Sequence, residues 1–312
     1  MPRTRCIELL AALPCAVAAA QVTAVGGAAR EALPAHADFL HERARYEPMA
    51  LLRGQLLPDA GLRQDAGSFD LLLWAAAAAV PLPTSADSFL TLGASFEQRR
   101  YQAKDLGGFA DEKLYAAALD LGFASFLADD VLLEAEVRPG VWTDWNGALT
   151  RDDFDIPTKL LVTDRAATNL FLAFGARYDE VYPRNSLLPY LGCAWQPCET
   201  VRVDVLAPES VEVSLWPRPD LGFLLGGEVQ GAEYHVRAEA AAGRIHSDVR
   251  VQEVLVYAGA LWRWSTHAAA TVRIGVTAAG DYRLDDSRLP SEHADGTLQP
   301  GPFVELTFGF DF

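Results

Sequence analysis

No stretch of this 312-residue sequence holds the roughly 18 uncharged apolar residues that a membrane-crossing helix requires. The nearest, Leu71 to Val80 with its alanine run, is too short. Basic residues are also few: 26 Lys and Arg stand against 42 Asp and Glu, a formal charge of −16. That balance argues against nucleic acid or an anionic inner leaflet as partners. Cysteine is scarce. Cys6 and Cys15 fall in the N-terminal segment, while Cys193 and Cys198 flank a Gln196-Pro197 turn. No zinc-type spacing exists among them. A turn centred on Pro197 pairs Cys193 with a later residue than Cys198, against a disulfide, whose Cβ atoms must approach to about 4 Å. Catalytic groups are not gathered either. The six histidines are scattered, and the nearest approach to a nucleophile and base is His246-Ser247. Neighbours in a strand point to opposite faces, and no third group orients this pair. Asp152, Asp153 and Asp155, and again Asp285, Asp286, Glu292 and Asp295, offer carboxylate oxygens without the spacing of a calcium loop. Both clusters read as solvated loops. No enzymatic activity, cofactor or metal is expected.

What is present is alternation. Hydrophobic residues make up 50% of the chain and the mean hydropathy is +0.07, without any block long enough for a helix. Apolar residues spread over every second position are the mark of a transmembrane β-barrel. The last ten residues, FVELTFGFDF, show it most clearly. Val304, Leu306, Phe308, Phe310 and Phe312 share one face of an extended strand, and Phe303, Glu305, Thr307, Gly309 and Asp311 the other. This resembles the closing strand of bacterial outer-membrane barrels. The resemblance implies that Phe308, Phe310 and Phe312 form a membrane-insertion signal read by the barrel-assembly machinery.

Thirteen alternating runs separated by turn residues follow one another: 69–80, 88–101, 114–126, 131–145, 153–163, 168–179, 187–197, 199–207, 210–216, 220–236, 248–264, 268–283 and 302–312. Counted back from a periplasmic C-terminus, the periplasmic links are all short. The extracellular ones at 284–301, 237–247, 180–186, 146–152 and 102–113 are longer and more polar, with the tight Pro208-Glu209 link as the exception. Outer-membrane barrels keep this parity. Bacterial barrels are also even-stranded. Either the alanine-rich first run does not span, leaving twelve strands, or residues 38–56 hold a further strand, making fourteen. The fold class is therefore all-β: an antiparallel transmembrane β-barrel of 12–14 strands in the outer membrane. Arg3, Arg5 and the apolar run Ile7 to Ala20 predict a signal peptide over 1–20, with a cut after Ala37 as the alternative. Residues 21–67 form a poorly patterned N-terminal segment, and the barrel occupies 68–312.

Alternation also assigns faces. Val201, Val203 and Val205 oppose Arg202 and Asp204, and Leu133, Ala135 and Val137 oppose Glu134, Glu136 and Arg138. The expected lumen charges are Glu134, Glu136, Arg138, Arg177, Arg202, Asp204, Glu212, Arg263 and Arg273. Trp142, Trp145, Trp195, Trp216, Trp262 and Trp264 lie near strand ends, where an interfacial girdle is expected. Over 187–265 the chain resembles an uncharacterised family of bacterial outer-membrane β-barrels described as porins. The residues that carry the resemblance are Pro189, Gly192, Trp195, Pro197, Pro208, Trp216, Gly226 and Gly227. That family has no established substrate, so the resemblance implies fold and location rather than chemistry. The expected function is a porin-like channel for small polar solutes, in contact with outer-membrane lipid and lipopolysaccharide. The alternatives are a non-conducting structural or interaction barrel and a barrel enzyme acting on lipid.

Overall fold

The computed structural model describes residues 49–61, 68–104, 112–179, 186–240, 243–286 and 294–311. They form fourteen antiparallel strands closed into a ring. Eleven are continuous: β1 (Met49–Gly61), β2 (Ser68–Pro83), β3 (Ser88–Lys104), β4 (Glu112–Ala128), β7 (Leu170–Asp179), β8 (Ser186–Cys198), β9 (Val201–Ala207), β10 (Ser210–Arg218), β11 (Leu221–Ala240), β12 (Gly243–Ser265) and β13 (Ala268–Asp286). Three are interrupted. β5 runs Val131–Val137 and resumes at Gly140–Thr143, β6 runs Phe154–Asp155 and Thr158–Ala167, and β14 runs Ala294–Thr297 and Gly301–Asp311. Each break holds a proline, Pro139, Pro157 or Pro300, which has no N–H to give to the ladder. Register survives because other backbone bonds cross the breaks. Leu119 N–H donates to Pro139 O at 2.9 Å, and Arg138 N–H donates to Pro157 O at 2.8 Å.

β1 closes the ring by pairing with both β14 and β2, Leu52 lying opposite Phe308 and Ala76. The barrel thus begins at Met49, not at Ser68, and the strand number is fourteen. The expected 1–20 signal peptide lies outside the described residues. β1 is hard to read because leucine occupies both of its faces. Leu52 and Leu56 are about half exposed on the outside, whereas Leu57 is fully buried inside.

The two rims differ. On the rim carrying Met49 and Asp311, the links at 84–87, 129–130, 168–169, 199–200, 219–220 and 266–267 are all short. On the far rim most links are longer, apart from 208–209 and 241–242. The expected loop over 237–247 is instead strand, because β11 and β12 run on together to Ala240 and Gly243.

Outward side chains form an apolar belt, with Leu119, Phe174, Leu191, Phe223, Val272 and Ile274 all exposed. Trp195, Trp262 and Trp264 stand outward near the terminal rim, and Trp264 meets Phe308 edge-on at 6.5 Å between ring centres. Two tryptophans depart from the expected girdle. Trp142 is buried in the interior, and Trp216 packs over Gly222 with Arg263 stacked on its ring at 4.6 Å.

Candidate functional site: the divided lumen

Strand pleat sends every second side chain inward, and at the level of Glu228 these side chains meet across the barrel. Arg53 of β1 donates from Nε to Glu305 at 2.9 Å, and from Nη2 to Glu228 at 3.0 Å and Gln230 at 2.7 Å. Arg273 reaches Glu228 at 3.1 Å and Glu305 and Glu212 at 3.3 Å. Tyr257 O–H donates to Glu212 at 2.9 Å while its ring carries the Arg273 guanidinium at 4.4 Å. Gly226 makes room for this ring: a Cβ there would sit 2.9 Å from the Tyr257 tip and 2.7 Å from Val211 O. On the opposite wall Glu97 accepts from Arg99 Nε at 2.7 Å and from Tyr234 O–H at 2.8 Å. Low dielectric strengthens such pairs, but leaving one partner alone costs about 3–5 kcal/mol. The band therefore ties the walls together more than it adds net stability.

Beyond this band, toward the far rim, the interior is a packed apolar core. Leu71, Leu114, Trp142, Tyr234, Val251 and Leu298 belong to one buried cluster contributed by β1–β5, β11, β12 and β14. The walls meet there: the Gly140–Thr143 part of β5 pairs in parallel with β11 at Thr143 and His235, six strands away around the ring. The linking segment after Thr143 straps over the same strand. Arg237 N–H donates to Asp144 Oδ2 at 2.8 Å, and the Arg237 guanidinium binds Asp153 and, at 3.2 Å, Thr150 Oγ1. Arg237 and Asp153 are both buried. Burial pushes the Asp153 carboxyl up, but hydrogen bonds from the Thr150 N–H and hydroxyl, with the Arg237 charge, outweigh it. The group lies below its ordinary value. Asp153, read from sequence as part of a solvated loop, is thus a buried anchor.

The pairing of β5 with β11 divides the far half of the lumen. On one side, β11–β14 and β1–β4 enclose the apolar core. On the other, β5–β10 leave a lane with inward charges that remain wet. Arg138, Glu136 and Lys159 side chains are 38%, 36% and 27% exposed, against 3%, 0% and 1% for Arg99, Glu253 and Glu305. Since these side chains point inward, their exposure is exposure to lumen water. Toward the terminal rim the lane widens into a cavity of about 440 Å³, lined by Ala77, Thr91, Asp120, Glu134, Lys159 and Arg202 among others. A smaller cavity of about 220 Å³ lies below the charge band against Arg53, Arg273 and Glu305.

All nine sequence-assigned lumen charges lie on the inner face, but in three places. Glu134, Glu136, Arg138, Arg177, Arg202 and Asp204 line the lane side, where Arg138 pairs with Asp120 at 3.0 Å and Lys159 with Glu136 at 3.4 Å. Glu212 and Arg273 belong to the cross-lumen band. Arg263 is at the terminal rim, exposed over Trp216. Sequence reasoning missed Arg53, which sits in the unread first strand, and Lys159, although its alternation with Leu160 marks it. Of the expected insertion signal, Phe308 and Phe310 lie on the outward face of β14, and Phe312 lies outside the described residues. The same holds for Glu292 and for the side chains of His246, Ser247, Asp285, Asp286 and Asp295. Cys193 and Cys198 are free thiols.

An apolar exterior around a charged, partly wet interior defines a transmembrane β-barrel with a divided lumen. No protein-family model matches the chain, and neither does any curated protein sequence, so the porin-family resemblance rests on its own residues. Among solved structures the chain is similar to an outer-membrane channel from Pseudomonas putida F1, at 10% identity and a TM-score of 0.48 over 86% of this chain and 98% of that one. It is similar to a Pseudomonas aeruginosa FadL homologue at 11% identity and 0.47, over 85% and 90%. It is also similar to the P. putida toluene transporter TodX at 10% and 0.45, again over 85% and 90%.

Proposed function

We propose that the chain is an outer-membrane channel that passes small polar solutes, with the terminal rim in the periplasm and outer-membrane lipid and lipopolysaccharide around the belt. The observation that carries this reading is the wet, charge-lined cavity of about 440 Å³ inside a closed barrel. A barrel that needed its interior only for stability would fill it with side chains, as small barrels do. Fixed charges in a confined passage select counter-ions. Around the cavity stand three carboxylates, Asp120, Glu134 and Glu136, and two cations, Lys159 and Arg202. Arg138, paired with Asp120, brings the charges around the cavity close to balance, and Glu134→Gln with Glu136→Gln removes two negative charges from it. The test is the reversal potential across a planar bilayer under a salt gradient. Relative to the wild type, the double variant should shift toward anions. Conductance with unchanged selectivity would remove these residues from the path.

One observation favours a second reading, a non-conducting barrel. The far half between β11 and β4 is packed as tightly as a soluble core, with Leu71, Leu114, Tyr234 and Val251 at 0–1% exposure. The two readings differ in whether the lane beside that core is continuous.

A further inference from the structure

We infer that solute crosses this barrel off-axis, along the lane walled by β5–β10, and meets the far side through a notch above the Pro208-Glu209 turn. The inference rests on the channel reading and adds the route and the residues that set it.

The axial route is closed by wall-to-wall contact. Tyr234 of β11 reaches Glu97 of β3, Arg53 of β1 reaches Glu228 of β11, and Thr143 pairs with His235. Apolar side chains fill the space above these contacts. A polar solute taking that way would have to unpack a core and leave buried carboxylates such as Glu253 and Glu305 unpaired.

Along the lane a small apolar cluster of Ala124, Leu132, Phe171 and Ala194 is packed toward the terminal rim, while Arg138, Glu136 and Lys159 stay partly exposed to the lumen. From the cavity the lane continues past Glu136, Lys159 and Arg138 to a polar group at the top of β7 and β8. There Arg177 binds Asp179, donates from Nη1 to the Tyr190 hydroxyl oxygen at 3.2 Å, and pairs with Glu209 at 3.5 Å. Donors and acceptors of both signs follow one another, which suits small uncharged polar or dipolar solutes that can exchange hydration for these partners.

The notch follows from strand length. β9 has seven residues. At about 3.3 Å per residue and a tilt of about 40° it rises roughly 18 Å, some 7 Å less than the ~25 Å apolar band of an outer-membrane barrel. Its neighbour β8 has thirteen residues. The ladder between β10 and β11 ends at Ser210 and Glu228, although β11 runs on to Ala240. Likewise β8 has no β9 partner before Leu191. Among the described residues, the β11 edge beyond Val229 is joined only by the strap from β5. The wall is therefore low where the lane reaches the far rim.

The experiment uses the full chain with its four native cysteines replaced by Ser and one new thiol introduced at a time. The variants are Lys159→Cys and Glu209→Cys in the lane, and Val251→Cys in the packed core. Each is refolded into vesicles and exposed to a charged, water-soluble thiol reagent, with modification read by mass and conductance read in parallel. Thiol reactivity follows access to water, so both lane variants should react at least about a hundredfold faster than Val251→Cys. Modification of Lys159→Cys should also cut conductance. Equal rates at Lys159→Cys and Val251→Cys, or an inert Glu209→Cys, would overturn the route. A silent wild type with the labelling contrast intact would instead sink the channel reading and leave the divided, wet lane standing.

Discussion

Replacing Val203 with lysine separates the two faces of the barrel in one strand. Val203 lies within β9, opposite Trp195 of β8 and Val213 of β10, whose side chains are 45% and 39% exposed on the outer surface. A Lys or Arg on the lipid face costs about 2–4 kcal/mol at the midplane and about 0–1 kcal/mol at the interface. Val203 stands between the two, level with Trp195, so Val203→Lys should cost about 2 kcal/mol, a roughly 30-fold fall in the folding equilibrium. The next residue behaves differently. Asp204 faces inward, pairs with Arg202 at 2.7 Å with both side chains about a third exposed, and lies opposite Glu212. Loss of a wet ion pair removes about 1 kcal/mol or less, and a lysine facing Glu212 restores part of it through a cross-strand pair. Asp204→Lys should therefore cost at most about 1 kcal/mol. Reversible urea titration of refolding into phospholipid vesicles measures both. Equal losses, or a greater loss at Asp204, would refute the assignment of faces.

Two further outcomes are expected. Arg237→Ala leaves the Asp153 carboxylate buried without its cation, so the strap should detach from β11. The same release should follow acidification: because the Asp153 carboxyl is held low, its contribution is complete above the ordinary Asp value of about 3.9 and is lost only as pH falls below it. Protease susceptibility of the 144–153 segment should stay constant from pH 7 to 5 and rise only below about pH 4, and a rise near neutrality would count against the anchor. Phe312→Lys should impair assembly in cells while sparing refolding into vesicles, as befits a signal read by the assembly machinery rather than a structural contact. Undiminished assembly in the outer membrane would remove that residue from the signal.

Much of the barrel was legible because lipid and lumen impose opposite demands on alternate residues. β9, β12 and β14 show their faces directly, and the short links of one rim mark its side. β1 was not legible: with Leu51 and Leu57 inside and Leu52 and Leu56 outside, its period of two is hidden. Of the pairings that fix it, the one to Ala76 is with the next strand and the one to Phe308 spans most of the chain. The division of the lumen was not legible either. Alternation says that Glu97, Glu228 and Tyr234 point inward, but which of them meet depends on register around fourteen strands. Trp142 illustrates the limit: its place near a strand end suggests an interfacial ring, and only the pairing of β5 with β11 turns it into core. Asp153 was misread for the same reason, since its cation is 84 residues away.

The most direct test of the account is the single-channel conductance of the refolded chain in a planar bilayer, measured for the wild type and for Arg237→Ala on the same day and lipid. The account predicts discrete conductance steps for the wild type, through the lane, and larger or longer openings once the strap is released. A correctly folded, heat-modifiable barrel that stays silent in both forms would contradict it and leave the packed, non-conducting barrel as the reading that stands.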